Sequence, residues 1–545
     1  MEREVVEADV LCAGGGPAGL MAAIRASELG AKVVVAEKGN TLRSGAAATG
    51  VDHFNCYIPE IHGDLDAIVR DRVRHEVTRS ADHIRTHFEK SFEIVKLWDS
   101  WGIPMKYKGR WEFAGHAYPG ASAPATSLKI HGENVKPILT REALKRGVRI
   151  INRVQVSDLV RDESIIGAVG VHTRQEKLFE FRAKSVFLGT GVLTRLFPSP
   201  TPGWMFNIGR SPATTGDGRA MAYKIGAELV SLELPSRWAG PKYFIRHGKA
   251  TWVGVLRNPR GEPIGPFVTK PDRRYGDATS DIYPTVFEDF QKSGRGPVYM
   301  DCGGISEEDF DYMLYWFRQE GLTSVLNYLK EKRIDLRDHP VEFTTYEILP
   351  KGGVYYNEKG ETSVKGLYAA GDEMQGASIS GSAVLGWIAA ENAARYAKEA
   401  GIPDKHKIKA KADERESSIE GILGREAGAG WKEVNIALQQ IMQDYAGAIR
   451  SETLLEAGLD ALRRLKESAS GEMMAKNQHE LARCLEVLNL LDLGELVFMM
   501  GLTRKETRDG HIRTDYPFAN PLMDRMLFVR KRDDGLFTEW RKIKS

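Results

Sequence analysis

Cysteine is scarce in this chain, whose 545 residues contain only four: Cys12, Cys56, Cys302 and Cys484. These four are far apart in the sequence and form no C-x-x-C pair, which excludes a zinc knuckle or a redox dithiol. Four thiolates with tight local spacing are also missing, which excludes an iron–sulfur cluster held by this chain. We therefore expect reduced thiols, buried as small apolar side chains, as in a cytosolic protein.

Long hydrophobic runs and a net charge of one sign are missing too. No apolar stretch approaches the roughly 20 residues of a membrane-spanning helix, and the formal net charge is +2. A broad positive field for nucleic acid or for an anionic membrane is therefore not expected. Because the N-terminus passes directly into an apolar strand, we expect no signal segment and a cytoplasmic location.

Glycine is abundant by contrast, and an early cluster lies in "LCAGGGPAGLMAAI", which begins at Leu11. Gly14, Gly16 and Gly19 have the G-x-G-x-x-G spacing between an apolar strand and a helix. The first glycine permits a tight turn, the second lets the backbone approach a pyrophosphate, and the third lets the helix pack closely on the strand. Since the helix N-terminus also attracts phosphates, the stretch predicts a dinucleotide-binding turn.

An acid and a loop of small residues follow this turn. Glu37 ends the second apolar strand, "KVVVAE", where its carboxylate can accept hydrogen bonds from a ribose. The loop "RSGAAATG" suits close backbone approach to a ligand more than packing. The motif does not distinguish FAD from NAD, and a tight turn without a ligand is the structural alternative.

A second nucleotide-type segment, "VKGLYAAGDEMQGASISGS", returns much later in the chain. Its strand ends near Asp372, whose carboxylate can bond ribityl hydroxyls. The helix that follows directs its first N–H groups, near Ser380, at a flavin. A simple NAD domain is usually contiguous, so the split favours FAD. We find no further nucleotide fingerprint and expect no nicotinamide domain.

The rest of the chain divides by pattern. Strands and helices alternate in the first third, and an inserted α+β domain is predicted where aromatic residues, prolines and charges interleave. That insertion includes a helical patch between Glu307 and Lys330. Beyond the polar run "KHKIKAKADERESS", which is a solvated linker or helix, leucines at heptad-like spacing predict a helical bundle.

The chain resembles the flavoprotein subunits of the succinate dehydrogenase/fumarate reductase superfamily, and within it the branch of the adenylylsulfate reductase alpha chains. The stretches that carry the resemblance cover nearly the whole chain: "AGGGPAGLMAA", "RSGAAATG", "KIHGENVK", "TTGDGRAMAYKIGAELV", "GRGPVYMD", "TSVKGLYAAGD", "SGSAVLGWIAAENAA" and "HIRTDYP".

The resemblance implies an α/β fold, with a split Rossmann-like FAD-binding domain, an inserted α+β capping domain and a C-terminal helical domain. The expected boundaries are 1–234 and 348–405 for the two FAD-binding segments, 235–347 for the capping domain and 406–545 for the helical domain.

The resemblance also implies the residues that contact FAD. Many relatives bond FAD covalently through a histidine in the first loop. Here that loop has none, and His53 is the nearest imidazole, so we expect noncovalent FAD. The predicted cofactor-binding residues are Gly14, Gly16, Pro17, Ala18, Gly19, Glu37, Lys38, Arg43, Ser44, Gly45, Val154, Thr190, Gly191, Asp217, Gly371, Asp372, Ser380, Ser382, Ala383 and Val384.

The substrate groups of the succinate and fumarate enzymes are missing. A gapless comparison back from "GRGPVYMD" places their arginine at Thr285, and their two histidines fall on Ile348 and near Trp238. Hydride transfer to fumarate needs a cation at the carboxylates and an acid for the adjacent carbon, so the sequence argues against fumarate reduction. Adenylylsulfate reductases place a histidine just before the turn where this chain has Lys351, so the sequence predicts a substrate different from theirs as well.

Once the substrate groups of the relatives are found to be missing, the residues that remain near the expected flavin face are mainly basic and aromatic. An arginine and a lysine beside aromatic rings suit a small anionic substrate, planar or conjugated. The alternative is structural, with Arg237 paired to a carboxylate and Trp204 in the core. His131 and His511 are expected to orient local structure. The candidate catalytic residues are Arg237, Lys351, Trp204, Trp238, Tyr346 and Glu347.

These observations predict an FAD-dependent oxidoreductase subunit without a metal site of its own. It would transfer electrons between a small anionic substrate and an iron–sulfur partner. The resemblance implies a ferredoxin-like partner subunit, and hence a hetero-oligomer. Two alternatives stay open: an electron-relay flavin subunit of a larger complex with no organic substrate, and a stand-alone reductase of activated C=C bonds.

Overall fold

Strands and helices alternate along the first third of the chain, as the sequence predicts. The computed structural model describes residues 1–74, 76–114, 125–199, 209–237, 239–242, 251–264, 269–273, 290, 293–374, 378–532 and 535–542. The first elements are β1 (Glu2–Ala13), α1 (Pro17–Glu28), β2 (Val33–Glu37), β3 (His53–Asn55), α2 (Pro59–His62), α3 (Leu65–Val73), α4 (Ala81–Ser100), β4 (Ser127–Lys129), α5 (Val135–Lys145), β5 (Arg149–Asn152), β6 (Val154–Arg161), β7 (Ile165–His172), β8 (Lys177–Leu188), α6 (Asp217–Lys224), β9 (Leu229–Val230) and β10 (Pro235–Ser236).

The inserted region, the second nucleotide-type segment and the C-terminal part follow. The inserted region and second segment contain β11 (Ala239–Pro241), β12 (Val255–Arg257), β13 (Val298–Asp301), α7 (Glu307–Gln319), α8 (Thr323–Lys332), β14 (Val341–Thr345), β15 (Leu349–Pro350), β16 (Gly353–Val354), β17 (Leu367–Ala369) and α9 (Ser378–Glu399). The C-terminal part contains α10 (Lys405–Leu423), β18 (Ala429–Gly430), α11 (Trp431–Ala446), β19 (Ile449–Arg450), α12 (Glu452–Glu472), β20 (Met473–Met474), α13 (Gln478–Thr503), β21 (Ile512–Arg513), β22 (Met526–Arg532) and β23 (Gly535–Arg541).

A seven-stranded sheet holds both nucleotide-type segments. Strands β5, β2, β1 and β8 are parallel neighbours, and β7 and β6 extend the sheet in antiparallel fashion. β17, from far along the chain, pairs in parallel with β8 and places Leu367 opposite Val186. The carboxyl ends of β1, β2, β8 and β17 therefore meet at one edge, where open α/β sheets bind their ligands.

Helices α1 and α9 pack against this sheet and against each other. α1 is rich in small buried residues, and a Cβ on Gly386 of α9 would lie 2.6 Å from the carbonyl oxygen of Ala18. Since no side chain separates the two backbones there, the helices can lie close together, and both begin near the carboxyl edge of the sheet. Each sequence segment thus supplies one helix N-terminus to the same place.

The inserted region, which we call the capping region, has a core of its own. Strands β11, β14, β13 and β12 form an antiparallel sheet, and Trp252, Met313 and Phe317 lie in its buried cluster with α7 and α8. The chain enters and leaves through two antiparallel strand pairs, β10 with β15 and β11 with β14. The capping region therefore joins the nucleotide-binding part through two adjacent strand connections.

The C-terminal part is mainly helical. Leu438 of α11, Leu455 of α12 and Leu481 of α13 are buried, as their heptad-like spacing predicts. The polar run is a helix, α10, with Ile408 and Ala412 buried. The last hairpin, β22 and β23, joins β9 and β16 in one sheet. The predicted fold class is confirmed, and no helix among the described residues is both long and apolar enough to span a membrane.

Candidate cofactor and substrate site

The glycine turn has the geometry that a dinucleotide cradle requires. Gly14 has a φ of +98°, and a Cβ there would lie 2.4 Å from the carbonyl oxygen of Gly189. A Cβ on Gly19 would lie 1.9 Å from the carbonyl oxygen of Gly14. Gly16 precedes α1 without a side-chain cap, and Pro17 begins the helix. The first N–H groups of α1 are therefore left available for a phosphate.

Glu37, at the end of β2, closes one side of this turn. Its side chain is 8% exposed. One carboxylate oxygen accepts a hydrogen bond from the N–H of Gly15 at 2.6 Å, and the other accepts from Gly39 at 2.6 Å. Each carboxylate oxygen can accept a further bond, so Glu37 can bind ribose hydroxyls in this orientation.

Lys38 and Asp217, both predicted to contact the cofactor, pair with each other. The Lys38 Nζ lies 2.7 Å from Asp217 Oδ2 and 2.9 Å from Glu486 Oε1 on α13. Arg195 lies 2.6 Å from the other oxygen of Glu486. Burial opposes ionisation of Glu486, but Lys38, Arg195 and Arg483 outweigh it and lower the pKa of Glu486 to about 2. This ionic network ties the C-terminal part to the nucleotide-binding edge.

The second segment contributes a turn that a buried arginine holds. Gly371 has a φ of +70°, and a Cβ there would lie 2.6 Å from Ser382 Oγ. Arg219 is fully buried and donates to three carbonyl oxygens, at 2.7 Å, 3.2 Å and 2.6 Å. These belong to Gly191, Gly352 and Asp372, so Arg219 joins the loop after β8 to the second segment.

Glu373, next to Asp372, is a buried carboxyl that the sequence patterns do not single out. Its Oε1 accepts from the N–H and the hydroxyl of Thr190, both at 2.5 Å, while its Oε2 has no partner among the described residues. Burial raises the pKa of Glu373. This buried oxygen beside Thr190 can accept a hydrogen bond from a bound group. FAD has hydrogen-bond donors, such as its ribityl hydroxyls, so the residues present fit FAD.

The other predicted cofactor residues lie along the same edge. Arg43 is exposed and donates to the carbonyl oxygen of Glu133 at 2.7 Å, and Ser44 Oγ lies 3.3 Å from the buried Nζ of Lys136. Gly45 and Gly191 have φ values of +71° and +87°. The predicted residues that are buried at this edge are Ala18, Val154, Ser380, Ser382, Ala383 and Val384. Their contacts with the cofactor stay predictions.

The two strand connections to the capping region bring three candidate catalytic residues into adjacent segments. Ser236 pairs with Leu349 and Ala239 with Thr345, so the segment with Arg237 lies beside the segment with Tyr346 and Glu347. Burial lowers the pKa of Arg237 to about 10. Of the other candidates, Trp204 and Trp238 lie outside the described residues, as does Thr285.

Glu347 and Tyr346 are both buried at this junction. Glu347 Oε2 accepts from the N–H of Gly209 at 2.8 Å, and Oε1 has no partner in the described part of the chain. Burial raises the pKa of Glu347. The Tyr346 hydroxyl donates to the carbonyl oxygen of Pro241 at 3.0 Å. Glu347 therefore has one carboxyl oxygen held by the backbone and one that is buried without a hydrogen-bond partner among the described residues.

Lys351 and the two singled-out histidines make structural contacts. Lys351 Nζ pairs with Asp509 of the C-terminal part, and both side chains are partly exposed. His131 bridges the carbonyl oxygen of Pro104, at 2.9 Å, and the hydroxyl of Tyr315 on α7, at 2.6 Å. His511 is buried, its pKa is lowered to about 2 by burial, and its Nδ1 accepts from Arg450 at 2.8 Å.

Sequence reasoning missed three buried charged residues: Lys136, Arg219 and Glu373. Two of them lie inside stretches that carry the family resemblance, and Glu373 follows one directly. No local pattern distinguishes them, because each acquires its role through contacts with other elements. All four cysteines are free and buried, as expected.

The glycine turn, Glu37 and the return of β17 to the same sheet define an FAD-binding domain built from two sequence segments. A family profile described as "FAD binding domain" matches residues 9–386. A second, described as "Fumarate reductase flavoprotein C-term", matches residues 435–544. The chain therefore belongs to the FAD-dependent oxidoreductases of the fumarate reductase and succinate dehydrogenase flavoprotein family.

Curated relatives are similar to the chain over most of its length, and solved structures match its fold. One of the subunits of the fumarate reductase (CoM/CoB) of Methanothermobacter marburgensis is 25% identical over 98% of this chain and 100% of its own length. The alpha chain of the adenylylsulfate reductase of Megalodesulfovibrio gigas is 24% identical, over 88% of this chain and 86% of its own length. The adenylylsulfate reductase structure from Archaeoglobus fulgidus has a TM-score of 0.84 at 23% identity, covering 100% of this chain and 96% of that one. The fumarate reductase FrdA structure from E. coli has a TM-score of 0.84 at 20% identity, covering 100% and 98%.

Proposed function

We propose that this chain is the flavoprotein subunit of a cytoplasmic oxidoreductase that transfers electrons between a small anionic substrate and a ferredoxin-like iron–sulfur partner. The observation that carries the substrate part is the junction of Arg237, Tyr346 and Glu347 where the capping region meets the nucleotide-binding edge. When bound, FAD supplies the two-electron chemistry, and the chain's own residues bind the substrate and handle its proton.

Arg237 and Glu347 have complementary roles in this proposal. The Arg237 guanidinium stays protonated at neutral pH even with its pKa lowered to about 10, and can bind a carboxylate or another oxyanion. Glu347, with a raised pKa, retains its proton to higher pH than an ordinary carboxyl. Its available oxygen, Oε1, can then donate a hydrogen bond or a proton to the substrate.

Noncovalent FAD is proposed from the first loop. The segment 43–50 contains no histidine. The nearest imidazole, His53, is buried on β3, with its Nδ1 2.9 Å from Asp52 Oδ1. A flavin tethered here would need an imidazole, thiol or phenol side chain in this loop, and the loop supplies only Arg, Ser, Gly, Ala and Thr.

The iron–sulfur partner is proposed from two observations. Two relatives, the fumarate reductase (CoM/CoB) and the adenylylsulfate reductase polypeptides, are each named as one of the subunits of a larger enzyme. The four cysteines of this chain are far apart, so a cluster that exchanges electrons with its flavin would be held by another polypeptide.

An anaerobic titration of the purified chain tests the substrate part of the proposal. Small carboxylates and sulfur oxyanions are added singly while the flavin absorbance is followed, with wild type, Arg237→Gln and the exposed control Arg318→Gln. We expect one anion to change the flavin redox state in wild type and the control but not in Arg237→Gln, while dithionite still bleaches all three.

The other outcomes of this titration favour the alternatives or contradict the site. If no organic anion reacts and only an iron–sulfur protein bleaches the flavin, the electron-relay function replaces this one. Turnover of an activated alkene with a diffusible donor alone would favour the stand-alone reductase. Full activity of Arg237→Gln would show that Arg237 does not bind substrate.

A further inference from the structure

Lys136, at the second position of α5, is a buried lysine beside the glycine turn. Its side chain is 1% exposed. Its Nζ donates to the carbonyl oxygen of Gly15 and lies 3.3 Å from Ser44 Oγ. Gly15 belongs to the G-x-G-x-x-G turn and Ser44 to the small-residue loop. The ammonium group therefore lies between the turn that is predicted to bind the dinucleotide phosphates and a loop that is predicted to contact the cofactor.

Both of these partners are neutral oxygens, so the charge of Lys136 is not balanced by a direct ion pair among the described residues. Glu37 is the acid whose charge acts on Lys136, but its two oxygens accept from the N–H groups of Gly15 and Gly39. A buried ammonium without a paired anion is costly. The positive charge of Lys136 is therefore not neutralised by a directly contacting anion among the described residues.

The other charged groups around Lys136 are directed elsewhere. Arg43, on the loop, donates to Glu133 O and Asn134 Oδ1. On α5 itself, Glu142 pairs with Lys145 and Arg146. On the neighbouring α1, Arg25 pairs with Glu28 and Glu391. Glu37 is thus the acid on the packed elements whose charge stabilises the Lys136 ammonium.

We propose that Lys136 is the cationic ligand of the cofactor's pyrophosphate, which supplies the missing negative charge. A backbone cradle of N–H groups binds phosphate by partial charges alone, and Lys136 adds a full charge in a water-excluded place, where it is worth more than on the surface. This inference rests on the FAD part of the proposed function and is independent of its substrate and partner.

Lys136 also gives cofactor binding a pH dependence with a defined sign. Burial outweighs the attraction of Glu37 and lowers the pKa of Lys136 to about 8. A bound pyrophosphate favours the ammonium form and raises that pKa. Above pH 8, binding must therefore take up a proton, and the affinity for FAD falls as the pH rises through this window.

FAD release from the full chain measures the role directly. The holoprotein is diluted and flavin fluorescence is followed at pH 7 and pH 9.5 for wild type, Lys136→Met, Lys136→Arg and the same-helix control Lys145→Met. Loss of one charge-assisted contact, about 1.5–3 kcal/mol, corresponds to roughly 10–100-fold weaker FAD binding by Lys136→Met. Lys145→Met should match wild type. Lys136→Arg should bind FAD with little change between the two pH values, because its guanidinium stays charged.

Rebinding of ADP and adenosine to the released chain shows which part of the cofactor Lys136 contacts. We expect Lys136→Met to lose affinity for ADP and to retain that for adenosine, which has no phosphate. Equal losses would overturn the inference, because Lys136 would then only support the loop. Unchanged FAD affinity in Lys136→Met would overturn it as well.

The wild-type measurement decides the question even if Lys136→Met does not fold. An FAD affinity in wild type that is the same at pH 7 and pH 9.5 contradicts the inference, and a fall that is absent in Lys136→Arg supports it. None of these measurements involves a substrate or a partner. Failure of the substrate titration would leave them unaffected, so the two proposals fail separately.

Discussion

At the scale of single residues, the cofactor edge depends on glycines whose surroundings have no space for a side chain, and on buried charged residues. Gly19 can only be glycine, because its Cβ would lie inside the contact distance of the Gly14 carbonyl oxygen. Arg219, Glu373 and Lys136 are buried charged groups whose partners are mostly backbone atoms. Such groups cost stability unless a ligand or the backbone satisfies them, which is why they mark a binding site.

Gly19→Ala is expected to abolish FAD retention. The added methyl group would lie 1.9 Å from a backbone oxygen, so α1 must move away from the turn. Overpacking of this kind costs about 1–3 kcal/mol. Flavin content after gel filtration and the thermal midpoint measure both effects. Gly401→Ala, at a position with open space around the added atom, is the control and should behave as wild type.

Glu347→Gln tests the buried carboxyl through the pH dependence of stability. Burial raises the folded-state pKa of Glu347 above the ordinary 4.5. The contribution of the Glu347 carboxyl to the free energy of unfolding is therefore fully present below pH 4.5 and is lost as the pH rises through the raised pKa. The Gln variant has no such loss, so its thermal midpoint should rise relative to that of wild type over the pH range above the ordinary 4.5. A constant difference across that range would mean that Glu347 is ionised throughout.

At the scale of elements, the capping region is fastened to the nucleotide-binding part by a buried ion pair. Lys129 of β4 lies 2.7 Å from Glu320, at the end of α7, and Thr251 donates to the same carboxylate at 2.5 Å. Nearby, a Cβ on Gly321 would lie 2.0 Å from the carbonyl oxygen of Thr49. The close backbone contact at Gly321 and the Lys129–Glu320 ion pair together fix the position of the C-terminal end of α7 against the first segment.

Glu320→Gln should loosen this connection. The change leaves the Lys129 ammonium buried without its anion, which costs about 3–5 kcal/mol. We expect a lower thermal midpoint and faster amide hydrogen exchange in α7 and β4. The exposed Glu331→Gln on α8 is the matched control. If α7 exchanges at the wild-type rate in Glu320→Gln, the pair does not hold the capping region.

Most elements could be predicted from the sequence, because their signals are local. The turn at Gly14, the strand at "KVVVAE" and the bundle leucines each have a period or a spacing that one element satisfies. The polar run before the bundle left helix and linker open, since only its tertiary contacts bury Ile408. Lys136 and Glu373 were missed because their meaning depends on neighbours from other elements.

At the scale of the whole molecule, three sequence-distant parts meet at the cofactor edge. β1 and β2 provide the glycine turn and Glu37, β17 and α9 provide the second segment, and α13 reaches the edge through Glu486. The capping region lies beside the same edge, because Gly321 closely approaches the backbone of Thr49 in the small-residue loop. The family resemblance predicted the split FAD-binding domain, but not that α13 reaches this edge through an ionic network with Lys38.

Glu486→Gln tests that network. Its carboxylate faces Lys38 and Arg195 in a fully buried place, so its loss should cost about 3–5 kcal/mol and weaken FAD binding through Lys38. Because the folded-state pKa of Glu486 is lowered to about 2, its contribution is present above the ordinary 4.5 and is lost as the pH falls toward 2. The gap between wild type and variant in thermal midpoint should therefore narrow on acidification, with the exposed Glu467→Gln on α12 as the control.

The central claim is that two separated segments of this chain bind FAD without a covalent bond, and acid precipitation of the purified protein tests it most directly. The account predicts one flavin per chain in the native absorbance spectrum, with all of it in the supernatant after precipitation. Flavin that stays with the pellet would contradict noncovalent binding, and protein purified from native cells without isoalloxazine absorbance would contradict the cofactor itself.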